Sequence, residues 1–290
     1  MPKHHYSILV DAYYRRDIYR LVTFQAQPKI AGPTMVETQS KRQKEHYERI
    51  HDEYTSHYYD DESLAYRRQY ILEPMFEGLN LDGKKVADLM CGNGLNSMEV
   101  MRLFPGAEVS GFDISSLACD AYRESLKRPA YELDLTQEME PVDLFDVVMV
   151  IGGLHHCVTD IPRTLENVAK MLKPDGLFLM MEPNANYVLE PIRTVWYQRD
   201  AFFDAETEHA LKHDSILELA APHFALSDVN YFGGPAYFLV QQSLIFRLPK
   251  RIKTLITPPL LLIERFFNRL PGRMSFAYFV ARWRRVDERP

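Results

Sequence analysis

Val86-Ala-Asp-Leu-Met-Cys-Gly-Asn-Gly94 decides how this chain is read. A short apolar run ends in the acid Asp88, and the glycines Gly92 and Gly94 follow. Leu95, Met98, Met101 and Phe104 then recur at helical spacing. The pattern predicts a strand, a tight glycine turn and a helix. Such a turn brings bare backbone N–H groups and a helix N-terminus up to a ligand, and the aligned peptide dipoles there favour a negative group. The stretch is expected to hold a nucleotide-like ligand.

The rest of the chain bounds what that ligand serves. Its 290 residues are 46% hydrophobic and 26% charged, enough for one large domain with additions or two small ones. Cys91, Cys119 and Cys157 form no CxxC pair, so neither a disulfide framework nor a zinc site is expected. A reducing, cytoplasmic compartment fits this sparse set. The opening Met-Pro-Lys-His-His-Tyr has no apolar signal core. His46, His51 and His57 are five and six residues apart, which suits no single helix face, so no metal is expected there. Net charge is −6 but uneven. Residues 247–285 hold ten basic residues against the single acid Glu264, or +9, which leaves −15 on the remainder.

From Lys84 onward strand and helix patterns alternate, as in a parallel sheet covered on both faces. Strands are expected at 85–89, 108–113, 130–133, 144–151, 177–181 and 225–232. Helices are expected at 95–104, 116–127, 160–172 and 214–221. Lys173-Pro-Asp-Gly176 is a turn signal before the fifth strand. Ser275–Trp283, rich in aromatic and β-branched residues, reads as a closing edge strand. The expected organisation is an N-terminal helical extension over 1–60 and an α/β domain over 61–290. That domain carries an aromatic cap insertion at 184–214 and a basic amphipathic insertion at 236–272.

A glycine turn alone does not choose between cofactors. The third position of the dinucleotide pattern G-x-G-x-x-G is here Ser97. Asp88 stands four residues before Gly92, where it would repel a pyrophosphate and attract an ammonium group. Both features argue against a nicotinamide dehydrogenase. S-adenosylmethionine carries an ammonium for Asp88 and a carboxylate for the helix N-terminus. Asp113, 19 residues after Gly94, can accept from both ribose hydroxyls. Asp134, after the third strand, can meet the adenine amino group.

With these residues the chain resembles the class I S-adenosylmethionine-dependent methyltransferases. The resemblance rests on Ala87–Gly94, Gly111-Phe-Asp113, Asp134, Phe145-Asp-Val-Val148, Leu154-His-His156 and Leu172-Lys-Pro-Asp-Gly176, and spans about residues 60–235. It implies a Rossmann-like seven-stranded sheet, six strands parallel and the last antiparallel. It implies S-adenosyl-L-methionine as cofactor, met by Asp88, Cys91, Gly92, Asn93, Gly94, Asp113, Ile114, Asp134, Leu135 and Ile151. Tyr54, Tyr58 and Tyr59 would belong to a lid. Met90 departs from the family, which more often has glycine there.

His155 and His156 follow the fourth strand, at the sheet end where open α/β folds bind ligands. An imidazole there serves as general base, with His156 the first choice and His155 the second, or it packs beside the cofactor. A metal held by these two and Cys157 is disfavoured, because adjacent residues rarely converge on one ion. A base points to an oxygen acceptor. The expected substrate is a small molecule, a hydroxyl of a glycan, a lipid-linked sugar or a natural product. Tyr58, Tyr59, Tyr187, Arg193 and Trp196 are the candidates to contact it. N- or C-methylation remains an alternative, as does a non-catalytic cofactor-binding protein docked on membranes.

In the basic insertion, Leu260, Leu262, Ile263, Phe266, Phe267 and Leu270 share one half of a helix. Glu264, Arg265, Asn268 and Arg269 share the other. Such a helix suits a membrane surface or lipid-like substrate, or packs its apolar half on the protein's own core. Pro258-Pro259 and the short apolar run exclude a membrane span. The acidic body argues against nucleic acid. Oligomeric state is left open.

Overall fold

The computed structural model describes residues 41–42, 44–45, 60–139, 144–197, 209–243 and 246–286. Tyr54, Tyr58 and Tyr59 of the expected lid lie outside them, as does most of the extension. Seven strands form one sheet: β1 (Lys85–Leu89), β2 (Glu108–Asp113), β3 (Ala130–Glu132), β4 (Phe145–Ile151), β5 (Leu172–Pro183), β6 (Phe224–Phe232) and β7 (Tyr278–Arg285). Their order is β3-β2-β1-β4-β5-β7-β6. The pairs from β3 to β5 are parallel, and β7 runs antiparallel to both its neighbours.

The helices are α1 (Asp61–Arg67), α2 (Glu73–Phe76), α3 (Leu95–Leu103), α4 (Ser116–Leu126), α5 (Ile161–Met171), α6 (Glu190–Tyr197), α7 (His213–Ala220) and α8 (Lys250–Phe267). Local chemistry sets several starts. The Asp60, Ser115 and Asp160 side chains accept from the backbone N–H groups of Ser63, Ala118 and Arg163, which caps α1, α4 and α5. Alternation along the strands divides the core. Ala87, Leu89, Val148, Val150 and Trp283 pack on one face, and Val86, Val147, Met149, Tyr278 and Val280 on the other.

Two strand expectations are corrected. β7 is not the edge: it lies between β5 and β6, and both its faces are buried, as an interior strand's must be. The edge is β6, whose middle is largely exposed. Lys173–Gly176 does not precede β5 but forms an excursion within it. Phe145 pairs with Leu172 and Val147 with Leu177, so four residues loop out, with Asp175 at φ 59°.

Helix α8 does not lay its expected apolar half on the core: Leu260 and Leu261 pack against it, beside buried polar residues. Its buried residues are Lys253, Thr257 and Glu264. Leu262, Ile263, Phe266 and Leu270 are exposed, while Leu260 and Phe267 are half-buried. Hydrogen bonding explains why Lys253 and Glu264 are buried. Glu264 accepts from Gly234 N–H at 2.7 Å, Ala236 N–H at 2.9 Å and the Tyr66 hydroxyl at 2.7 Å. Lys253 Nζ donates to both Asp60 carboxylate oxygens and to Ser63 Oγ. These partners hold the polar stripe inward. Among the described residues no helix is long and apolar enough to cross a membrane.

Candidate functional site

Strand order reverses between β1 and β4, and open sheets bind ligands at the carboxyl ends of strands flanking such a switch. Asp88, Asp113 and Asp134 stand at or just beyond the ends of the adjacent strands β1, β2 and β3. The turn between β1 and α3 is laced to β2. Cys91 N–H donates to Phe112 O at 3.1 Å, and Gly92 N–H donates to Asp113 Oδ2 at 2.9 Å. Asp113 Oδ1 accepts from Ser115 N–H. Ile114 N–H is a third backbone donor to this carboxylate, and burial raises its pKa against all three. Asp134 Oδ1 accepts from the backbone and hydroxyl of Thr136.

Asp88 is fully buried beneath the turn. Its Oδ2 accepts from Ser97 N–H at 3.2 Å and Ser97 Oγ at 2.8 Å, and Ser97 Oγ accepts in turn from the Tyr122 hydroxyl. Ser97, at the third position of the dinucleotide pattern, is therefore the donor that holds the acid. Burial pushes the Asp88 carboxyl up to about 7. Asp88 Oδ1 and Asn93 Oδ1 are buried acceptors without a hydrogen-bond partner among the described residues. A ligand that brings an ammonium donor to this turn fits that pair. Residues that could hold S-adenosylmethionine are thus Asp88, Asn93, the glycine backbone and Asp113.

The glycines are needed for close packing as much as for a ligand. Gly94 has φ +93°, and a Cβ there would come within 2.5 Å of Leu126 Cδ1. Met90, where the family more often has glycine, sits in the left-handed region at φ 55°. A Cβ on Gly153 would collide with Met90 Sδ, so Met90 occupies room that Gly153 leaves open. Of the other expected cofactor residues, Cys91 and Leu135 turn their side chains into the core, while Ile114 and Ile151 are half-buried at strand ends.

The histidines lie on a single 3-10 turn, Leu154–His156, directly after β4. Their rings are 3.9 Å apart. Glu182, near the end of β5, organises this turn. Its Oε1 accepts from Gly153 N–H at 3.0 Å and Leu154 N–H at 2.7 Å, and its Oε2 lies 2.7 Å from His155 Nδ1 and 3.3 Å from His155 N. Burial pushes Glu182 up to about 7 and His155 down to about 3. The backbone N–H groups oppose the first shift by favouring the ionised carboxylate. An acceptor at that position requires the Nδ1–H tautomer, which leaves the lone pair on Nε2. Sequence reasoning missed Glu182. Its signal was the one already used for Asp88: an acid ending an apolar strand.

The expected substrate residues are not brought together. Tyr58 and Tyr59 and the Trp196 side chain lie outside the described residues. Arg193 is buried, pairs with Glu190 and donates to the carbonyls of Ala277 and Asn184. Tyr187 stacks on Phe238 at 5.8 Å. Both pin the cap to the body. Among the described residues no cluster of His, Cys, Asp and Glu could hold a metal ion.

Residues 87–178 match the family model of a methyltransferase domain. A ubiquinone biosynthesis O-methyltransferase of Rhodopseudomonas palustris strain BisB5 is 32% identical over 111 residues, 37% of this chain and 43% of that protein. The chain thus matches less than half the length of this relative. Two solved structures show the fold. An O-methyltransferase from a trans-AT PKS multienzyme of Brevibacillus brevis, in complex with S-adenosyl-L-homocysteine, superposes with a TM-score of 0.51 at 17% identity, over 90% of this chain and 82% of that one. The cyclase SpnF superposes with a TM-score of 0.58 at 15% identity, over 90% of this chain and 100% of that one. With its strand order and glycine turn, the chain has the fold of S-adenosylmethionine-dependent methyltransferases, and its residues 87–178 match a methyltransferase domain.

Proposed function

We propose that this chain transfers a methyl group from S-adenosylmethionine to a hydroxyl of a small molecule, a glycan, a lipid-linked sugar or a natural product. The observation that carries the oxygen reading is the pairing of His155 with Glu182 beside the cofactor turn. When bound, the cofactor supplies an activated, electrophilic methyl group. The chain's own residues then have three tasks: to align the acceptor, to exclude water and to take the hydroxyl proton. His155 Nε2 takes that proton; burial holds this imidazole down at about 3, so it acts as a base only with Glu182 ionised behind Nδ1, where the carboxylate stabilises the imidazolium as it forms. His156, whose ring is tilted by 39° to that of His155, shapes the acceptor side. The sequence puts His156 first; the Glu182 carboxylate 2.7 Å from His155 Nδ1 is the reason to put His155 first.

The test is direct. Purified protein is titrated with S-adenosylhomocysteine by calorimetry, then assayed with labelled S-adenosylmethionine against panels of hydroxyl and amine acceptors. Binding that is lost in Asp113→Ala, and a methyl ether whose rate of formation falls at least 100-fold in His155→Ala, support the reading. Absence of cofactor binding ends it. Methylated amines formed at a rate insensitive to His155 end the oxygen assignment.

A further inference from the structure

The outward face of α8 is an apolar stripe without a partner among the described residues. Ile252, Leu255, Leu262, Ile263 and Phe266 are exposed, Leu255 by 77% and Phe266 by 59%. At about 100° per residue they fall within an arc of about 100°. The opposite side of the helix is where Lys253, Thr257 and Glu264 are buried. Along one flank of the stripe run Arg251, Arg265 and, past the helix end, Arg269, all exposed. The Arg269 guanidinium lies 5.5 Å from the Phe266 ring centroid, so the basic and apolar groups adjoin.

The stripe does not stop at the helix. Leu270 and Met274 extend it, and Val188 N–H donates to Met274 O at 2.8 Å, which joins the cap to this loop. Val188 and Ile192 are themselves exposed, at 60% and 62%. Two insertions far apart in sequence therefore turn apolar side chains to solvent at one seam. The cap begins just after Glu182, so this surface adjoins the carboxyl end of the sheet.

We infer that the outer face of α8, continued by Met274 and the cap, docks on an anionic lipid surface. Exposed aliphatic and aromatic side chains insert at the headgroup boundary while a flanking row of arginines meets lipid phosphates. Charge supports this occupant. Lys250, Arg251, Arg265 and Arg269 are exposed on α8 or just past its end, where the single acid Glu264 is buried, so this face is basic on a chain of net charge −6. Lys253 and Glu264 are turned inward because they fix the helix to the start of α1 and to the 234–237 turn. The inference goes beyond the methyl-transfer reading and does not depend on it.

The test uses the full chain in flotation with vesicles of phosphatidylcholine alone and of phosphatidylcholine mixed with phosphatidylglycerol. Binding is expected to the anionic vesicles and to fall at least tenfold in about 1 M salt, where the Debye length is about 3 Å. The variant Leu255→Ser/Leu262→Ser/Phe266→Ser is expected to lose at least tenfold in partitioning. Arg251→Gln/Arg265→Gln/Arg269→Gln is expected to lose about 100-fold, at about fivefold per arginine. Circular dichroism and S-adenosylhomocysteine binding check that both variants are folded, since every substituted side chain is exposed. No binding by the wild-type chain overturns the inference, and so does binding that neither variant changes. Sedimentation supplies the competing result: a wild-type dimer that the serine variant dissociates assigns the face to a second copy and also overturns it.

Discussion

Asp88 is a carboxyl sealed under a cofactor turn with one oxygen satisfied and one free. Its pKa, raised by burial to about 7, makes ligand affinity a function of pH. An ammonium brought to this turn favours the ionised form, so binding releases the Asp88 proton wherever the free protein still holds it. That window lies below about pH 7. The affinity for S-adenosylhomocysteine is therefore expected to fall as pH drops from 8 to 6, by as much as tenfold per unit below the pKa. Above pH 7 it is flat. Asp88→Asn cannot ionise, so its affinity should be about tenfold weaker than wild type at pH 8, nearly equal at pH 6 and independent of pH between them. Calorimetry in buffers of different ionisation enthalpy reads the released proton directly. A wild-type affinity that does not change across this range removes the pairing. Met90 makes a second residue-scale point: a side chain held at φ 55° is paired with a glycine whose missing Cβ gives it room. Only contact between two turns reveals that pairing; either residue alone looks like a departure.

At the scale of elements, a strand end and a turn act together. Glu182 of β5 accepts three backbone N–H groups from the turn after β4 and faces His155 Nδ1. Glu182→Ala leaves those donors buried without their acceptor and is expected to cost about 2–4 kcal/mol in urea denaturation. Glu182→Gln retains one acceptor oxygen and is expected to cost less than half of that. Equal stability for wild type and the alanine variant would mean that water replaces the carboxylate. Elements with one clear period were legible in the sequence. β1, β2 and α3 through α5 fall within a residue or two of expectation, because burial on defined faces fixes their patterns. The three strand-end acids were legible for the same reason. What stayed hidden depends on partners distant in sequence. β7 reads as an edge until β6 is seen to add outside it, and the excursion at 173–176 reads as a boundary although the strand resumes. The orientation of α8 is set by Tyr66 and by the amides of Gly234 and Ala236, which no count of its own apolar residues can include.

Across the whole molecule, a buried polar seam joins the segment before the sheet to the insertion before its last strand. Tyr66 donates to Glu264 and lies 3.2 Å from the Tyr278 hydroxyl, which donates to Tyr70 O, so α1, α8 and β7 meet at one cluster. Further along α8, Lys253 Nζ lies 2.8 and 2.6 Å from the two Asp60 oxygens, with both side chains at most 9% exposed. Such a pair adds little net stability over a well-packed apolar one, but breaking it leaves a buried charge alone. Lys253→Met is therefore expected to destabilise the protein by about 3–5 kcal/mol. The double variant Asp60→Asn/Lys253→Met removes both charges and is expected to recover more than half of that loss, while the amide oxygen introduced by Asp60→Asn can still accept from Ser63 N–H as the cap of α1. Urea denaturation of the four proteins of this cycle measures the coupling. The seam also holds the outer face of α8 in place. If the exposed stripe docks as inferred, Lys253→Met should weaken vesicle binding although Lys253 never reaches lipid, and the double variant should restore it together with stability. Loss of stability with unchanged vesicle binding would show instead that the stripe acts as a local amphipathic segment, independent of the seam that orients it.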